Sequence, residues 1–171
     1  MMRWLIPWVM IGALSGCAAS TDGGDQTDAS VQVVFSSAMC GTQIQAPQVT
    51  WIDTPVGLRR AFDRIHTQQM PPSSIEPPPL DFTRYAAVLL EMGVQPSAGY
   101  GLTLQARRWS VTGDTLILRV NWLAPPPGRV FAQVITHPCL LVSVPRGGYR
   151  HIEILDQHGT VRMRADTRVN Q

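Results

Sequence analysis

The side chains of this sequence that could carry out catalytic or metal chemistry include four histidines and three cysteines. The histidines are His66, His137, His151 and His158. They do not fall into the zinc-binding patterns, which are His-x-x-x-His or histidine combined with Cys-x-x-Cys. The sequence also lacks a Gly-x-Ser-x-Gly nucleophile motif and a glycine-rich phosphate loop between a strand and a helix. We therefore expect no enzyme activity, no metal or other cofactor and no small-molecule substrate.

The first cysteine directly follows a sequence typical of an N-terminal signal peptide. A short positive stretch ending at Arg3 is followed by about a dozen apolar residues, too few to span a bilayer. A Leu-Ser-Gly-Cys motif ending at Cys17 comes next and resembles the lipobox of bacterial lipoproteins. The resemblance implies that residues 1–16 are a signal peptide and that Cys17 becomes a lipid-modified first residue. The alternative is an ordinary signal peptide cut near residues 18–20.

The stretch after the leader predicts the compartment. Residues 17–30 contain no large apolar side chain, so they should form a flexible tether spanning roughly 20 Å. Ala18 rather than Asp follows the lipobox cysteine, which in lipoproteins favours the outer membrane. Several acyl chains on one cysteine attach a protein stably to a membrane. We expect an outer-membrane lipoprotein whose domain lies in the periplasm or at the cell surface.

The other two cysteines are candidates for a disulfide. After leader cleavage and lipid attachment, Cys40 and Cys139 are the remaining thiols. The periplasm is oxidising, so a disulfide between them is expected. The alternative is that both are buried thiols that pack as small hydrophobic residues.

Composition limits the class of partner. The formal net charge is +2, and all the basic residues are arginines, scattered along the chain. A nucleic-acid-binding surface would need a concentrated basic face, so we expect no nucleic-acid partner. The length fits one β-rich domain over residues 31–171.

A loop between two apolar stretches is the first candidate binding element. An apolar run at residues 86–90 is followed by what we call the tyrosine loop (residues 93–100), and apolar positions then resume at Leu102 and Leu104. Proline and glycine in this loop favour one defined shape that projects Tyr100.

The rest of the pattern is typical of an antiparallel β-sandwich or barrel with one covering helix. We predict strands at residues 31–35, 49–52, 86–90, 102–104, 116–122, 130–135, 140–144, 149–155 and 160–164. Thr54 can cap a helix that begins at Pro55, because apolar residues then recur with helical spacing. Its outward face would carry Arg59, Arg60 and Arg64, either as a solvated surface or as a docking surface.

Seven residues of the predicted loops are candidates for binding a protein. They are Pro96, Ser97, Gly99, Tyr100, Trp122, Arg129 and His137. Loops cluster at one end of a β-sandwich, and aromatic and arginine side chains are enriched at interface hot spots. The alternative is that Tyr100 and Trp122 close the ends of the core and the prolines stiffen turns.

Four features in a fixed order resemble the PrcB C-terminal domain family, roughly over residues 80–154. They are Leu80-Asp81-Phe82, the tyrosine loop, the Pro-Gly loop at residues 125–128, and Thr136-His137-Pro138 before an apolar strand. Ala98 stands where a second glycine is usual in this family. Most members are lipoproteins or secreted proteins without known activity, and the member that names the family supports the assembly or stability of a surface protease. The resemblance therefore implies a protein partner, with a protease as the first candidate.

Three functions follow, in order of preference. The first is a non-catalytic lipoprotein, anchored in the membrane by its N-terminal lipid, whose domain binds a protein and stabilises a protease complex. The second is a protease inhibitor, because Pro-Ser-Ala-Gly-Tyr is similar to the inhibitory loop of chagasin-type inhibitors, although Gln95 and Ala98 depart from that loop. The third is a structural envelope lipoprotein.

Overall fold

A computed structural model describes residues 30–41, 44–66, 76–105 and 108–167, and it confirms a mainly β fold with one helix. The elements are β1 (Gln32–Ser37), β2 (Gln48–Ile52), α1 (Pro55–His66), β3 (Tyr85–Glu91), β4 (Gly101–Leu104), β5 (Ser110–Thr112), β6 (Thr115–Leu123), β7 (Cys139–Pro145), β8 (His151–Leu155) and β9 (Val161–Asp166). The predicted signal peptide, Cys17 and all but the last residue of the tether lie outside the described residues.

The first sheet has the strand order β1-β7-β3-β2, and every neighbouring pair is antiparallel. Its central strand β3 is apolar almost throughout because both of its faces are buried. Ala86, Val88 and Leu90 pack against the second sheet, whereas Ala87 and Leu89 pack under the helix. The first sheet is therefore the middle of three layers.

Helix α1 covers the outer face of this sheet and begins as predicted. Thr54 is its N-cap, because its hydroxyl oxygen accepts the N–H of Gly57 (3.1 Å) and its carbonyl accepts the N–H of Leu58 (3.0 Å). The apolar positions on the predicted face are buried: Leu58, Ala61, Phe62 and Ile65. The helical spacing in the sequence thus located both the helix and its packed side.

The second sheet has the order β4-β6-β8-β9, with β5 paired to β6 across a tight turn. Leu116, Leu118 and Val120 of β6 alternate with half-exposed residues and face the first sheet. The pair β6–β8 is parallel, so the expectation of antiparallel pairing is wrong for these two strands. The reason is that β7, which lies between them in the chain, belongs to the other sheet. Neither sheet closes into a barrel in the described part of the chain.

The predicted strand at residues 130–135 is absent from the structure, although its sequence is apolar and β-branched. Val130 is 98 % exposed and Ile135 is 62 % exposed. Only one isolated bridge, between Gln95 and Thr136, pairs this part of the chain with the tyrosine loop. One end of the sandwich therefore consists of irregular, partly apolar backbone.

The predicted disulfide joins Cys40 and Cys139, whose Cα atoms lie 6.0 Å apart. Both residues are buried under the helix. The bond ties the chain after β1 to the first residue of β7. Among the described residues, no helix has the length and apolarity needed to cross a bilayer.

Candidate functional site

The tyrosine loop carries the chain from the first sheet to the second, and its shape is fixed at its start. Gly93 has a φ of +80°, and a Cβ atom there would lie 2.8 Å from the carbonyl oxygen of Gln45. The N–H of Val94 donates to the carbonyl of Ile44 (2.9 Å), which anchors the loop to the segment before β2. Only glycine combines this backbone angle with this close approach.

A second stretch of chain, the facing segment (residues 124–138), holds the middle of the loop. Gln95 and Thr136 exchange two backbone hydrogen bonds of 2.8 and 3.0 Å. The N–H of Ala98 donates to the carbonyl of Ala132 (3.0 Å), and the hydroxyl of Thr136 donates to the carbonyl of Ser97 (3.1 Å). Thr136 is only 4 % exposed, so this contact is screened from water. These four hydrogen bonds make the loop and the facing segment one unit.

The far end of the loop depends on Gly99. Its φ is +95°, and a Cβ atom would lie 2.8 Å from the ring of Phe131 and 3.2 Å from Cγ of Pro125. Glycine is thus required both by the backbone angle and by packing against the facing segment. This explains why a glycine precedes Tyr100.

Pro96 and the backbone near Gly99 are the solvent-exposed parts of the tyrosine loop, whereas the side chain of Tyr100 is less exposed. Pro96 and Gly99 are exposed and Ser97 is half-buried, its hydroxyl donating to the carbonyl of Ala98 (3.1 Å). Tyr100 is half-buried and packs against the core between the two sheets. Its ring therefore contributes to the core, which agrees with the alternative prediction that Tyr100 closes one end of the core.

Trp122 is held by the second sheet. Its half-buried ring packs against the same core, and the guanidinium of Arg162 lies 5.4 Å from the ring centroid. Its backbone N–H donates to the side-chain oxygen of Gln157 (2.8 Å). Trp122 is thus a fixed, partly covered side chain of β6, just before the facing segment.

The buried carboxylate of Asp156 positions that arginine. Asp156 is 1 % exposed and accepts hydrogen bonds from the N–H groups of His158 (2.8 Å) and Thr160 (2.9 Å) and from Nε of Arg162 (2.8 Å). Burial alone would raise the pKa of Asp156, but the two backbone hydrogen bonds and the Arg162 guanidinium outweigh burial and lower it. Asp156 therefore fixes the arginine that lies over the ring of Trp122.

The remaining two candidates lie on the facing segment. Arg129 is exposed, next to exposed Val130. His137 is half-buried and bonded through its backbone: its N–H donates to the carbonyl of Ala38 and its carbonyl accepts the N–H of Cys40, both at 2.9 Å. Its Nδ1 atom is buried without a hydrogen-bond partner among the described residues.

The structure thus brings together the backbone of residues 95–99 and of residues 125–137, whereas the rings of Tyr100 and Trp122 both pack on the core. Sequence reasoning missed Gln95, Ala132 and Phe131, which hold the loop in place. Their partners lie more than 30 residues away in the chain, and no local pattern signals such a pairing. Thr136 carried a signal only through the family resemblance.

A histidine–aspartate pair lies on the outer face of the second sheet. Nδ1 of His151 is 2.7 Å from a carboxylate oxygen of Asp166, and both side chains are more than half exposed. The two residues are direct cross-strand neighbours of β8 and β9, so the sheet register accounts for their contact. No cluster of His, Cys, Asp and Glu within the ranges that the structure describes could hold a metal ion.

The comparisons with known proteins point to one family. Residues 87–145 match the family described as PrcB C-terminal. The match runs from β3 through the tyrosine loop and the facing segment to the end of β7, and is narrower than the 80–154 expected from the sequence. No curated protein and no solved structure matches the chain. This match over residues 87–145, which include both parts of the candidate site, supports the expected resemblance to the PrcB C-terminal family.

Proposed function

We propose that this protein is a non-catalytic lipoprotein that binds a protein partner through the tyrosine loop and the facing segment. The observation that carries the proposal is that the loop is locked from two sides while it exposes Pro96 and Gly99. Exposed Val130 and Ile135 lie on the segment that locks it. A loop that is already ordered loses little conformational entropy on binding, and clustered exposed apolar side chains favour association.

The family suggests the class of partner. The resemblance to the PrcB C-terminal family supports a protease, or a component of a protease complex, that the lipoprotein stabilises. Arg129, which is exposed on the facing segment, and Trp122, which precedes that segment, are residue types that interfaces favour.

The proposed function includes a lipid anchor on Cys17. A lipid on Cys17, followed by a short tether, would hold the domain close to the outer membrane, on its periplasmic side or at the cell surface. A partner in the same compartment would then be met at high local concentration.

A chagasin-type inhibitor would use the same loop differently. Such a loop inserts its exposed residues into a protease cleft, whereas Tyr100 here packs against the core. Inhibition is therefore the second candidate, and a structural envelope lipoprotein without a dedicated partner is the third.

Affinity purification of the tagged, acylated protein from gently cross-linked cells tests the proposal. The informative variant is Val130→Glu with Ile135→Glu, since both side chains are exposed and charges there should not disturb the fold. Val111→Glu is the matched control, because Val111 is 46 % exposed on β5 of the second sheet, outside the candidate site. We expect one discrete partner, retained by the control and lost from the double variant.

Each outcome selects a function. A protease whose activity or abundance falls without the lipoprotein supports the accessory role, whereas a protease whose activity rises supports the inhibitor. Recovery of nothing but abundant envelope proteins, equally with all variants, would overturn the proposal in favour of a structural lipoprotein.

A further inference from the structure

The predicted tether and the candidate site join the first sheet at opposite ends. Strands β3 and β7 are antiparallel neighbours, and Glu91 at the end of β3 pairs with Cys139 at the start of β7. The tyrosine loop follows β3 and the facing segment precedes β7, so both leave the sheet at this end. Strand β1 reaches the same end with its last residue, because Ser37 also pairs with Cys139. The first residue of β1 therefore lies at the other end, where the tether joins the domain.

The length of β1 sets the distance between the two ends. The last residue of the tether is Ser30, and the carbonyl of Ala38, just after β1, accepts the N–H of His137 on the facing segment (2.9 Å). A mostly extended chain of eight residues, at about 3.3 Å per residue, spans about 25 Å. The candidate site thus begins about 25 Å from the point where the tether joins.

Exposed apolar side chains are concentrated at the end that carries the site. Of the eight large apolar side chains that are exposed in the described part of the chain, five lie at this end: Met39, Leu123, Val130, Val134 and Ile135. Met39 forms a bridge with His137, and Leu123 pairs with Gly101, which directly follows the tyrosine loop. The other three lie apart from one another, on β1, α1 and β5: Val33, Val56 and Val111. Such a concentration is typical of an interaction surface.

The end where the tether joins carries charges of both signs. Arg84 and Arg146 are exposed there, and so are Asp53 and Asp81. The guanidinium of Arg146 donates to the carbonyl of Asp53 (2.8 Å), and the N–H of Arg84 donates to the carbonyl of Asp81 (3.2 Å). An anionic lipid surface attracts a concentrated basic cluster, which this balanced set does not supply. This end is therefore held near the membrane by the tether and not by a lipid-binding surface of its own.

The bilayer and a protein are the two alternatives for covering the apolar end, and the geometry favours a protein. To bring the apolar end to the membrane, the tether would have to run back along the domain for about 25 Å or more. Its typical span is roughly 20 Å, so this arrangement would stretch the tether and cost conformational entropy. A protein outside the bilayer meets the same surface without that cost.

We infer that the candidate site is the membrane-distal end of the anchored protein, and that its partner is a protein whose contact surface lies at least about 25 Å from the lipid. The inference rests on the proposed function, namely a lipid on Cys17 and a protein partner, and adds where that partner is met. It excludes a lipid surface and the membrane-embedded part of a protein as occupants of the site.

Energy transfer to labelled lipid measures this orientation. The full-length acylated protein is placed on vesicles of phosphatidylethanolamine and phosphatidylglycerol that carry an acceptor dye on their headgroups. A donor dye is attached through a non-natural amino acid at Val130, which is 98 % exposed, or at Val56, which is 62 % exposed. Val56 is the control, because it follows the end of β2, and β2 runs antiparallel to β3 and ends near the tether. We expect transfer from Val56 to be at least about threefold more efficient than from Val130.

Photocross-linking in the native cells identifies what covers the site. The same two positions carry a photoreactive amino acid in the full-length acylated protein. We expect Val130 to cross-link to one protein, at residues outside any membrane-spanning segment, and Val56 not to reach that protein. Cross-links from Val130 to lipid would overturn the inference.

The outcomes separate this inference from the proposed function. A protein cross-linked at Val130, together with energy transfer from Val130 equal to or higher than that from Val56, would overturn the distal position and leave the protein partner in place. Release of the protein from the vesicles would refute the lipid anchor, and the inference with it. The same cross-links from Val130 and from Val56 would overturn both the distal position and binding at the candidate site.

Discussion

At the scale of single residues, Gly99 controls the shape of the candidate site. Replacing it with alanine would strain a φ of +95° and press a methyl group into the ring of Phe131, 2.8 Å away. We expect Gly99→Ala to lower the free energy of unfolding by about 2 to 4 kcal/mol, from left-handed backbone strain together with overpacking. Chemical denaturation measures this.

Gly128→Ala is the matched control for that change. Gly128 also has a positive φ, +77°, but a Cβ atom there would meet nothing within 4 Å. Its replacement should cost only the backbone strain, about 1 to 2 kcal/mol. Equal losses for the two variants would show that the contact with Phe131 and Pro125 does not hold the loop.

Asp156 gives stability a defined dependence on pH. Its pKa is lower in the folded state than its ordinary value of 3.8, so its contribution is fully present well above pH 3.8. The contribution is lost as the pH falls below 3.8 and through the lower pKa of the folded state. We expect Asp156→Asn to be less stable than the wild type near pH 7, and the difference to shrink in acid. Denaturation curves at pH 2 to 7 measure it, and a constant difference across that range would contradict the assignment.

At the scale of elements, helix α1 is fastened to β3 by a buried carboxylate. Glu91 is 1 % exposed and accepts hydrogen bonds from Arg64 and from Gln48, both at 2.9 Å. Arg64→Ala would leave this carboxylate without its cation. Because Arg64 itself is 40 % exposed, we expect a loss of about 2 to 3 kcal/mol, at or below the lower end of the range for buried pairs.

The same helix supplies the control. Arg59 pairs with Glu76 at 3.1 Å, but their side chains are 52 % and 81 % exposed. Arg59→Ala should change the free energy of unfolding by less than about 0.5 kcal/mol. If both arginine variants lost the same stability, burial of Glu91 would not be the cause.

Local periodicity was enough to locate most elements. Helix α1 was predicted from its capping threonine and helical spacing, and β3 and β7 from unbroken apolar runs that suit strands buried on both faces. Arg64 shows the limit of this reasoning. The helical wheel placed it with Arg59 and Arg60 on an outward face, because the buried acid that it reaches lies 27 residues away.

The sequence did not predict which strands and loop segments pair with one another. Residues 130–135 have the composition of a strand, yet a strand needs a neighbour, and the bridge to the tyrosine loop is made only by Thr136, just after them. Likewise, the parallel contact of β6 with β8 depends on β7 crossing to the other sheet, which no pattern within β6 or β8 encodes. The tyrosine loop was recognisable from its glycines and proline, but not the segment that locks it.

At the scale of the whole molecule, one covalent link ties the N-terminal part of the fold to its centre. The disulfide joins residues separated by 99 positions and lies between the first sheet and the helix. We expect replacement of both Cys40 and Cys139 by alanine to lower the free energy of unfolding by about 4 to 5 kcal/mol, because the unfolded chain regains the entropy of a loop of this length.

Thiol alkylation checks the link independently. If Cys17 carries a lipid as proposed, the protein unfolded without reductant should take up no reagent, and after reduction it should take up two equivalents, at Cys40 and Cys139. Reaction at both positions without reductant would contradict the disulfide in the native protein.

In the proposed function, Cys17 attaches the whole molecule to the membrane. Because several acyl chains on Cys17 would supply the anchoring energy, Cys17→Ala should leave the chain unprocessed or move it from the membrane fraction to the soluble fraction. Ser15→Ala keeps a small residue in the motif and should leave the protein membrane-bound. Fractionation of cells followed by mass spectrometry of the first residue distinguishes these results, and unchanged membrane attachment of a processed Cys17→Ala protein would refute the lipid anchor. Since the candidate site lies in the folded domain, the soluble variant should still bind the partner once purified, so that anchoring and recognition can be measured separately.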